Sequence, residues 1–244
     1  MEDTQKESQN YPNKNSADRL IRSFGRIKSR KLSDHKGLLL QNLLPLYEIK
    51  SPEIKSQGIN FWSAENKNQK TCLEIGFGFG DFLFEKAKNN PNILFFGSEP
   101  HLNGVVNLLA KLEKEPLNNL KITTQDVRIF TKDFPPEIFD KIYILFPDPW
   151  PKAKHFKRRL INSEFLDFLA GKLKSKAELT IATDHDSYKT WILSAIAKNK
   201  NFGWLAESKK DWQEFPSDWI TTKYQKKAAA EGRQSVIFNL IKNV

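Results

Sequence analysis

A carboxylate held between prolines stands out in the stretch FPDPWPKAKHFKRR, residues 146–159. Each proline fixes its own φ angle and pushes the residue before it into extended geometry, so the backbone of Asp148 and Trp150 is nearly locked. Rigid placement of a carboxylate is what a catalytic or substrate-orienting group requires. A proline-rich turn with a purely structural role would not need an acid at that position.

A run of cations follows this carboxylate, and no acid lies between Asp148 and Glu164. The run contains Lys152, Lys154, His155, Lys157, Arg158 and Arg159. Cations at this density suit a phosphate backbone beside the mouth of a site. The alternative is a solvated first turn of the next helix, which is disfavoured because cations at a helix N-terminus oppose the helix dipole.

A glycine-rich turn lies earlier in the chain, in LEIGFGFGDFL, where Gly76, Gly78 and Gly80 follow a predicted strand. Glycines there let the chain turn tightly and bring its backbone close to a ligand. The spacing is GxGxG and not the GxGxxG of dinucleotide folds. The turn alone is weak evidence for a ligand-binding site, because any tight connection from strand to helix favours glycine.

Acids near three successive predicted strand ends strengthen the interpretation of that turn. Glu74 stands inside a strand where an apolar residue is expected, so it should face a ligand. Glu99 ends the next strand, where an acid accepts hydrogen bonds from ribose hydroxyls in nucleoside-binding α/β folds. Asp126 follows the third strand and could reach an adenine amino group. Together they indicate an adenosine-type ligand, the alternative being that they are ordinary helix N-caps.

The elements that must position these residues alternate between strands and helices. Strands are predicted at residues 71–75, 92–98, 120–124, 141–146 and 178–183, with a further strand at 234–242 that would suit an antiparallel edge. Residues 104–114 and 160–174 have helical patterns, the second with Ile161, Phe165, Phe168, Leu169 and Leu173 on one face. This alternation predicts an α/β fold with a doubly wound, mostly parallel sheet and helices on both faces.

Composition narrows the classes of protein that remain. The chain has 244 residues, 39% of them apolar, and a formal net charge of +10, which favours a polyanionic partner over simple solubility. A single cysteine, Cys72, excludes an internal disulfide, and four scattered histidines make no metal-ligand spacing, so we expect no metal site. No apolar run reaches the roughly 18 residues of a membrane span, and the N-terminus lacks the apolar core of a signal peptide. We therefore expect a soluble, cytoplasmic protein with no membrane partner.

Three segments are predicted along the chain. Residues 1–18 are polar and should form a disordered tail. Residues 19–69 should form a basic N-terminal arm and a short helix that leads onto the main domain at 70–244. The cations of the arm could be a solvated segment or could contact nucleic acid.

Six motifs, in order along residues 20–240, resemble those of the bacterial tRNA (guanine-N7-)-methyltransferase family of class I S-adenosylmethionine-dependent enzymes. They are RSFGRIKSRKLS, LEIGFGFGDFL, GSEPHLNGV, FPDPWPKAKHFKRR, TDHDSY and TTKYQKKAAAEGR. The fourth is highly specific, whereas the glycine-rich turn alone would indicate only some class I methyltransferase. The resemblance implies a Rossmann-like fold, S-adenosyl-L-methionine as cofactor, and methylation of guanine N7 at position 46 in the variable loop of tRNA.

The resemblance also implies roles for individual residues. Glu74, Glu99, Asp126 and Asp148 would line the cofactor site with the glycine-rich turn, and Asp148 would be the catalytic acid residue. Substrate contacts would come from Lys152, His155, Arg158, Asp184, Thr222, Lys223, Tyr224 and Gln225. Gln225 stands where the family usually has Glu, and Pro100 and Asn103 replace the common Val and Pro.

Other readings of the sequence stay open. Trp150 or Tyr224 could stack on the target base, although Trp150 could equally be a buried core residue. A non-catalytic RNA-binding protein on a methyltransferase fold would be expected to have lost the glycine-rich turn or Asp148, and both are intact. A small-molecule or protein methyltransferase would leave the basic run unexplained. The sequence allows a monomer or a homodimer.

Overall fold

The computed structural model describes residues 33–49 and 69–244. Its strands are β1 Lys70–Ile75, β2 Ile93–Ser98, β3 Leu120–Thr123, β4 Phe139–Leu145, β5 Leu173–Thr183, β6 Phe202–Trp204 and β7 Val236–Lys242. Its helices are α1 Asp34–Leu38, α2 Leu44–Tyr47, α3 Asp81–Asn89, α4 Leu102–Lys114, α5 Val127–Phe130, α6 Ser163–Lys172, α7 Asp186–Lys198, α8 Lys210–Gln213 and α9 Lys223–Ala230. A π-helical turn, Leu39–Leu43, joins α1 to α2, and a 3₁₀ segment spans Ala153–Arg158.

The strands form one sheet in the order β3-β2-β1-β4-β5-β7-β6. Strands β1 to β5 are parallel, and β7 pairs antiparallel with both β5 and β6. The predicted doubly wound sheet is therefore confirmed, as is the antiparallel C-terminal strand. That strand is not the edge, however, because β6 lies outside it. With three residues, β6 is too short to leave a periodic signal in the sequence.

Side chains of the central strands alternate between two buried layers, as expected of a sheet covered on both faces. Leu73 and Phe96 pack in one apolar cluster with residues of α6 and α7. Their neighbours Cys72 and Phe95 pack in a second cluster with residues of α3 and α4. The two layers fix the sheet between helices, so the loops at its ends have a rigid base.

A helical segment precedes the main domain. It runs through α1, the π turn and α2, and buries Leu39 and Tyr47 in the second cluster. Ile49 then donates a backbone hydrogen bond to the carbonyl of Ile122, 3.0 Å away, and Glu48 forms a parallel bridge with the same residue. The predicted tail, residues 1–18, and most of the predicted arm lie outside the described residues.

The helix predicted over 160–174 is shorter at both ends. Asn162 caps it, since its side-chain oxygen accepts a hydrogen bond from the backbone N–H of Phe165 at 2.9 Å, so Ile161 precedes the helix. Leu173, which was predicted to lie on the helix face, is the first residue of β5 and pairs with Phe139. Both side chains are buried, because the core extends past the helix into the strand. Within the described ranges, no helix is both long and apolar enough to cross a membrane.

Candidate active site

The predicted site residues gather at the carboxyl edge of the parallel strands. Strand β1 lies between β2 and β4. The chain crosses from β1 to β2 and on to β3 on one side and then returns from β3 to β4 on the other side of β1, which opens a crevice at the end of β1. The glycine-rich turn follows β1, Glu99 follows β2, and Asp148 follows β4 at this edge. The strand order places the end of β4 at this switch point, beside the end of β1.

The glycine-rich turn is folded onto Glu99. Gly76, Gly78 and Gly80 all have positive φ angles, of 73°, 54° and 72°, which residues with a side chain rarely adopt. The Glu99 carboxylate accepts hydrogen bonds from the backbone N–H groups of Gly78 and His101, each at 2.8 Å. Burial raises the pKa of Glu99, while these two hydrogen bonds oppose the rise. The carboxylate therefore holds the turn at a fixed distance from α4 and still has lone pairs for a ligand.

Gly104 makes this close approach possible, and the sequence analysis did not single it out. A Cβ atom at Gly104 would lie 2.3 Å from the carbonyl oxygen of Gly78 and 3.1 Å from Cγ of Glu99. Helix α4 can therefore lie against the turn only because position 104 has no side chain. A glycine inside an otherwise strongly helical pattern was the available signal.

Glu74 is a buried acid in the middle of the sheet. It is 3% exposed, and its Oε2 atom has no hydrogen-bond partner among residues 33–49 and 69–244. Burial, together with the nearby charges of Glu99 and Asp81, raises the pKa of Glu74 to about 8. A buried polar atom without a partner is costly, and a ligand that brings a cation would satisfy it.

Asp126 has the role that the alternative reading gave it, because it is the N-cap of α5. Its Oδ1 accepts from the backbone N–H and the Nε of Arg128, and Oδ2 pairs with the guanidinium at 2.8 Å. The ion pair raises the pKa of Arg128. Three of the roughly four acceptor positions of the carboxylate are thus used within the protein. A contact to adenine remains a prediction and would need the remaining position.

The loop after β4 presents Asp148 to solvent. No hydrogen bond or ion pair joins its carboxylate to any residue in the described parts of the chain, but its charge raises the pKa of both Glu99 and Tyr224, after the larger effect of their burial.

The expected extended geometry is wrong for Trp150, whose φ of 44° is left-handed, and Phe146 is left-handed as well, at 53°. The prolines restrict this loop, yet they do not by themselves dictate its shape.

The basic segment divides into outward and inward side chains. Lys152, Lys154 and Lys157 are exposed. Arg159 is 3% exposed and cannot contact a phosphate backbone, so its place in the predicted cationic surface was wrong. Its guanidinium donates instead to the carbonyl of Pro149 and to Ser187. Sequence could not separate Arg158 from Arg159, because both have the same type and adjacent positions.

Trp150 joins two predicted substrate residues. The guanidinium of Arg158 lies 4.9 Å from the centre of the indole, and the His155 ring meets it edge-on at 5.8 Å. Partial desolvation lowers the pKa of His155, and the neighbouring cations, Arg158 first, lower it further. His155 is therefore mostly neutral at pH 7 and able to accept a hydrogen bond. Trp150 is half-buried at the rim of the site and is not a core residue.

Helix α9 covers the glycine-rich turn from the other side. A Cβ atom at Gly78 would lie 3.2 Å from the ring of Tyr224, so that ring rests on the turn. Tyr224 is also 47% exposed, and Lys223 places its ammonium 4.2 Å from the centre of the Phe79 ring. The structure thus brings Tyr224 to the same crevice as Glu99 and Asp148.

Three other predicted substrate residues are engaged within the protein. Thr222 is buried and caps α9, accepting the backbone N–H of Gln225 at 3.1 Å. The side-chain carbonyl of Gln225 accepts the indole N–H of Trp219 at 2.8 Å. Asp184 pairs with Arg233 at 2.7 Å. Each still has free hydrogen-bonding capacity, but their first partners are protein groups that sequence reasoning did not identify.

No group of three or more His, Cys, Asp and Glu side chains in the described ranges could hold a metal ion. The site therefore combines a buried unpartnered acid, a carboxylate on a glycine-rich turn, an exposed carboxylate on a restricted loop and a rim of cations. Such a set can bind a nucleoside bearing a cation and can approach a nucleic acid.

The chain is similar in sequence to known methyltransferases. Residues 68–238 match the family model described as "Putative methyltransferase". The tRNA (guanine-N(7)-)-methyltransferase of Ruegeria sp. (strain TM1040) is 35% identical over 216 residues, which cover 86% of this chain and 83% of that protein. The protein of the same name from Caulobacter vibrioides (strain NA1000 / CB15N) is 37% identical over 207 residues, covering 85% of this chain and 89% of that one.

Solved structures show the same fold at low sequence identity. The antibiotic-resistance methyltransferase Kmr superposes with a TM-score of 0.54 at 12% identity, covering 80% of this chain and 94% of that one. An antibiotic-related methyltransferase gives a TM-score of 0.53 at 17% identity, covering 81% of this chain and 96% of that one. At these identities the likeness concerns the fold alone.

Proposed function

Because the chain belongs to the tRNA (guanine-N(7)-)-methyltransferase family, we propose that it transfers a methyl group from S-adenosyl-L-methionine to N7 of a guanine in tRNA, at position 46 of the variable loop. One observation carries the assignment of the site. The acid-lined glycine turn and the Asp148 loop meet at one crevice, beside exposed lysines. A tRNA substrate is met in the cytoplasm, which is the compartment that we propose for the reaction.

The residues present fit the cofactor. The unpartnered Oε2 of buried Glu74 suits the ammonium of the methionine part, and Gly76 and Gly78 allow backbone to lie against it. Glu99 would accept hydrogen bonds from the ribose hydroxyls with the lone pairs that Gly78 and His101 leave. Asp126 would receive the adenine amino group with its one remaining acceptor position. When bound, the cofactor supplies a methyl group activated by a positively charged sulfur.

The chain's own residues would orient the base and balance charge. Guanine N7 carries an in-plane lone pair and no proton, so no strong general base is needed. A carboxylate such as Asp148, which has no ion-pair partner in the described ranges, can stabilise the positive charge that develops on the imidazole ring. It can also hold the base in line for transfer. Tyr224 or Trp150 offers an aromatic face to a base splayed out of the RNA.

Substrate binding would use the cations at the rim of the site. We propose contacts to the tRNA backbone from Lys152, Lys154, Lys157, Arg158 and Lys223, with His155 accepting a hydrogen bond. Thr222, Gln225 and Asp184 would contact the guanosine with the capacity that their protein partners leave. Gln225 has a second role, since its bond to Trp219 anchors the start of α9.

Cofactor binding should release a proton at pH 7. Glu74 has a pKa of about 8 in the ligand-free protein, so it is mostly protonated there. A bound ammonium favours the carboxylate, and the proton must leave. We expect calorimetry with S-adenosylhomocysteine, in buffers of different ionisation enthalpy, to show release of up to one proton, and Glu74→Gln to abolish it. Proton uptake, or proton release that persists in Glu74→Gln, would show that Glu74 does not bind the cofactor.

The same group sets a pH dependence of stability in the ligand-free protein. Folding raises the pKa of Glu74 from 4.5 to about 8, so the folded state binds more protons than the unfolded state between these values. The contribution of Glu74 to stability is therefore full below about pH 4.5 and is lost as the pH rises to about 8. A Tm series across that window should fall less steeply in Glu74→Gln than in the wild-type protein.

Neutralising two exposed lysines should weaken tRNA binding in a salt-dependent way. Each phosphate contact contributes about 0.7 to 0.9 to the slope of log K against log salt. We expect Lys154→Gln/Lys157→Gln to lower that slope by about 1.4 to 1.8 and to leave cofactor affinity unchanged. The matched control is Lys198→Gln/Lys200→Gln, at the far end of α7, which should leave the slope as it is. An unchanged slope for Lys154→Gln/Lys157→Gln would show that the tRNA backbone binds to a different surface of the protein.

Methylation of unmodified tRNA tests the proposed function directly. The protein is incubated with S-adenosyl-L-methionine and an unmodified tRNA transcript, and any 7-methylguanosine is mapped to its position. A transcript with adenosine in place of guanosine 46 is the control and should take up no methyl group. Methylation at another guanine would refute the position, and binding of tRNA without any methyl transfer would favour a non-catalytic RNA-binding protein.

A further inference from the structure

Arg159 is a buried cation with an unusual set of neighbours. Its guanidinium carbon lies 3.8 Å from the ring centre of Phe156, 5.0 Å from that of Tyr188 and 5.2 Å from that of Trp191. Buried charges are normally paired with an opposite charge, but in the described ranges no acid forms an ion pair with Arg159. Burial accordingly lowers the pKa of Arg159. The chain keeps a buried positive charge here without an acidic partner, so the hydrogen bonds of the guanidinium are the feature to explain.

Those hydrogen bonds tie together the loops that follow two neighbouring strands. Nε donates to the carbonyl of Pro149 at 2.9 Å, in the loop after β4. The terminal nitrogens donate to the carbonyl of Ser187 at 3.1 Å and to its hydroxyl at 2.7 Å, at the start of α7 after β5. Only a planar fork of donors can serve both loops at once, and arginine is the side chain that has one.

The Pro149 carbonyl belongs to the peptide group that leads into Trp150. Trp150 has a φ of 44°, in the left-handed region that bulky residues rarely adopt unless surrounding contacts hold them there. The direction of the preceding carbonyl fixes one of the two peptide planes on which that φ angle depends. The indole then lies against Arg158 and His155, which face the substrate in the proposed function.

We propose that Arg159 is a positioning residue for methyl transfer. Through the Pro149 carbonyl it holds Trp150 left-handed, and so sets the placement of Asp148, His155 and Arg158 at the site. This inference rests on the proposed function for its catalytic consequence. Its structural part, the hold on Trp150, stands on the geometry alone. The neighbouring arginines thus divide the work, one facing the substrate and one fixing the loop beneath it.

Kinetics on unmodified tRNA test the catalytic consequence. Arg159→Lys keeps the charge without the fork, and Arg159→Met keeps the apolar stem. We expect both to lower kcat at least about tenfold, with a smaller rise in KM for tRNA and an unchanged salt slope, because the cations that contact the tRNA backbone keep their charge. A phosphate contact would give the opposite pattern, a rise in KM larger than the loss of kcat, a lower slope and rescue by Lys. Either that pattern or a kcat within twofold of wild type overturns the proposal.

A second variant covers the case in which the buried substitutions do not fold. Trp150 is half-buried at the rim, so Trp150→Ala should fold and should lower kcat as the Arg159 variants do. A kcat for Trp150→Ala within twofold of wild type would overturn the proposed chain of contacts.

Fluorine NMR tests the hold on Trp150 without relying on activity. The chain has six tryptophans, and after 5-fluorotryptophan labelling the Trp150 signal is assigned with Trp150→Phe. We expect Arg159→Lys to shift or broaden that signal and to leave those of Trp204 and Trp219 in place. An unmoved Trp150 signal overturns the proposal. If the wild-type protein makes no 7-methylguanosine, the proposed function fails, and this signal still decides whether Arg159 fixes the loop.

Discussion

Asp148→Asn lowers kcat on unmodified tRNA by about a hundredfold or more, and Asp148→Ala does the same. Loss of one preorganised electrostatic partner of a developing charge costs roughly 3 kcal/mol of transition-state stabilisation. Asn keeps the shape and the hydrogen-bonding reach of the side chain but cannot balance a positive charge. Single-turnover methyl transfer with saturating cofactor measures the effect, because it isolates the chemical step from product release.

The position of Asp148 makes this result easy to interpret. The side chain is exposed and has no hydrogen-bond partner in the described ranges, so its replacement should change the free energy of unfolding by no more than about 0.5 kcal/mol. Glu207→Gln, which neutralises an exposed acid away from the crevice, is the matched control and should keep full activity. A folded Asp148→Asn with near-wild-type kcat would exclude Asp148 from the reaction.

Gly104→Ala should weaken cofactor binding by about ten- to a hundredfold. The added methyl group would lie 2.3 Å from the Gly78 carbonyl oxygen and 3.1 Å from the Glu99 side chain. Relief requires α4 and the glycine-rich turn to move apart, at an overpacking cost of roughly 1 to 3 kcal/mol. That movement would also stretch the bond from the Gly78 N–H to Glu99. Calorimetry with S-adenosylhomocysteine measures the change in Kd.

A second helical glycine supplies the control. Gly171 lies in α6 with no atom within 4 Å of the position that a Cβ would take. Gly171→Ala should therefore leave cofactor affinity unchanged and stabilise the protein by up to about 1 kcal/mol, as expected for alanine in a helix. Equal cofactor affinity in Gly104→Ala and Gly171→Ala would mean that α4 does not set the position of the turn.

The sheet and the outline of the site were predictable because they depend on local signals. An apolar run of strand length predicts a buried strand whatever surrounds it, and Glu74 is conspicuous because it interrupts such a run. Asp148 is conspicuous for a similar reason, because few residues have a backbone that is restricted by a proline on each side. Parallel strands bring their carboxyl ends to one edge, so these acids converge without any further information.

The remaining features depend on contacts between segments that are distant in sequence. Whether Arg158 or Arg159 turns inward is decided by the aromatic pocket of Phe156, Tyr188 and Trp191. The left-handed φ of Trp150 follows a peptide group whose carbonyl accepts a hydrogen bond from Arg159, whereas the neighbouring prolines alone favoured an extended geometry. Likewise, the partner of Gln225 is an indole, and nothing in TTKYQ specifies Trp219. These side-chain and backbone conformations are set by tertiary packing, and a single sequence does not show which distant segments lie in contact.

The bridge from Glu48 and Ile49 to Ile122 also bears on how the protein behaves at high concentration. An outer strand with unpaired peptide groups can recruit the same strand from another molecule and start aggregation. Here the segment after α2 occupies a backbone carbonyl on the outer side of β3. At the opposite border of the sheet, β6 offers only three residues. Because neither border presents a long open ladder, self-association through strand addition should be suppressed, and β3 should become prone to it when the segment before residue 50 is removed.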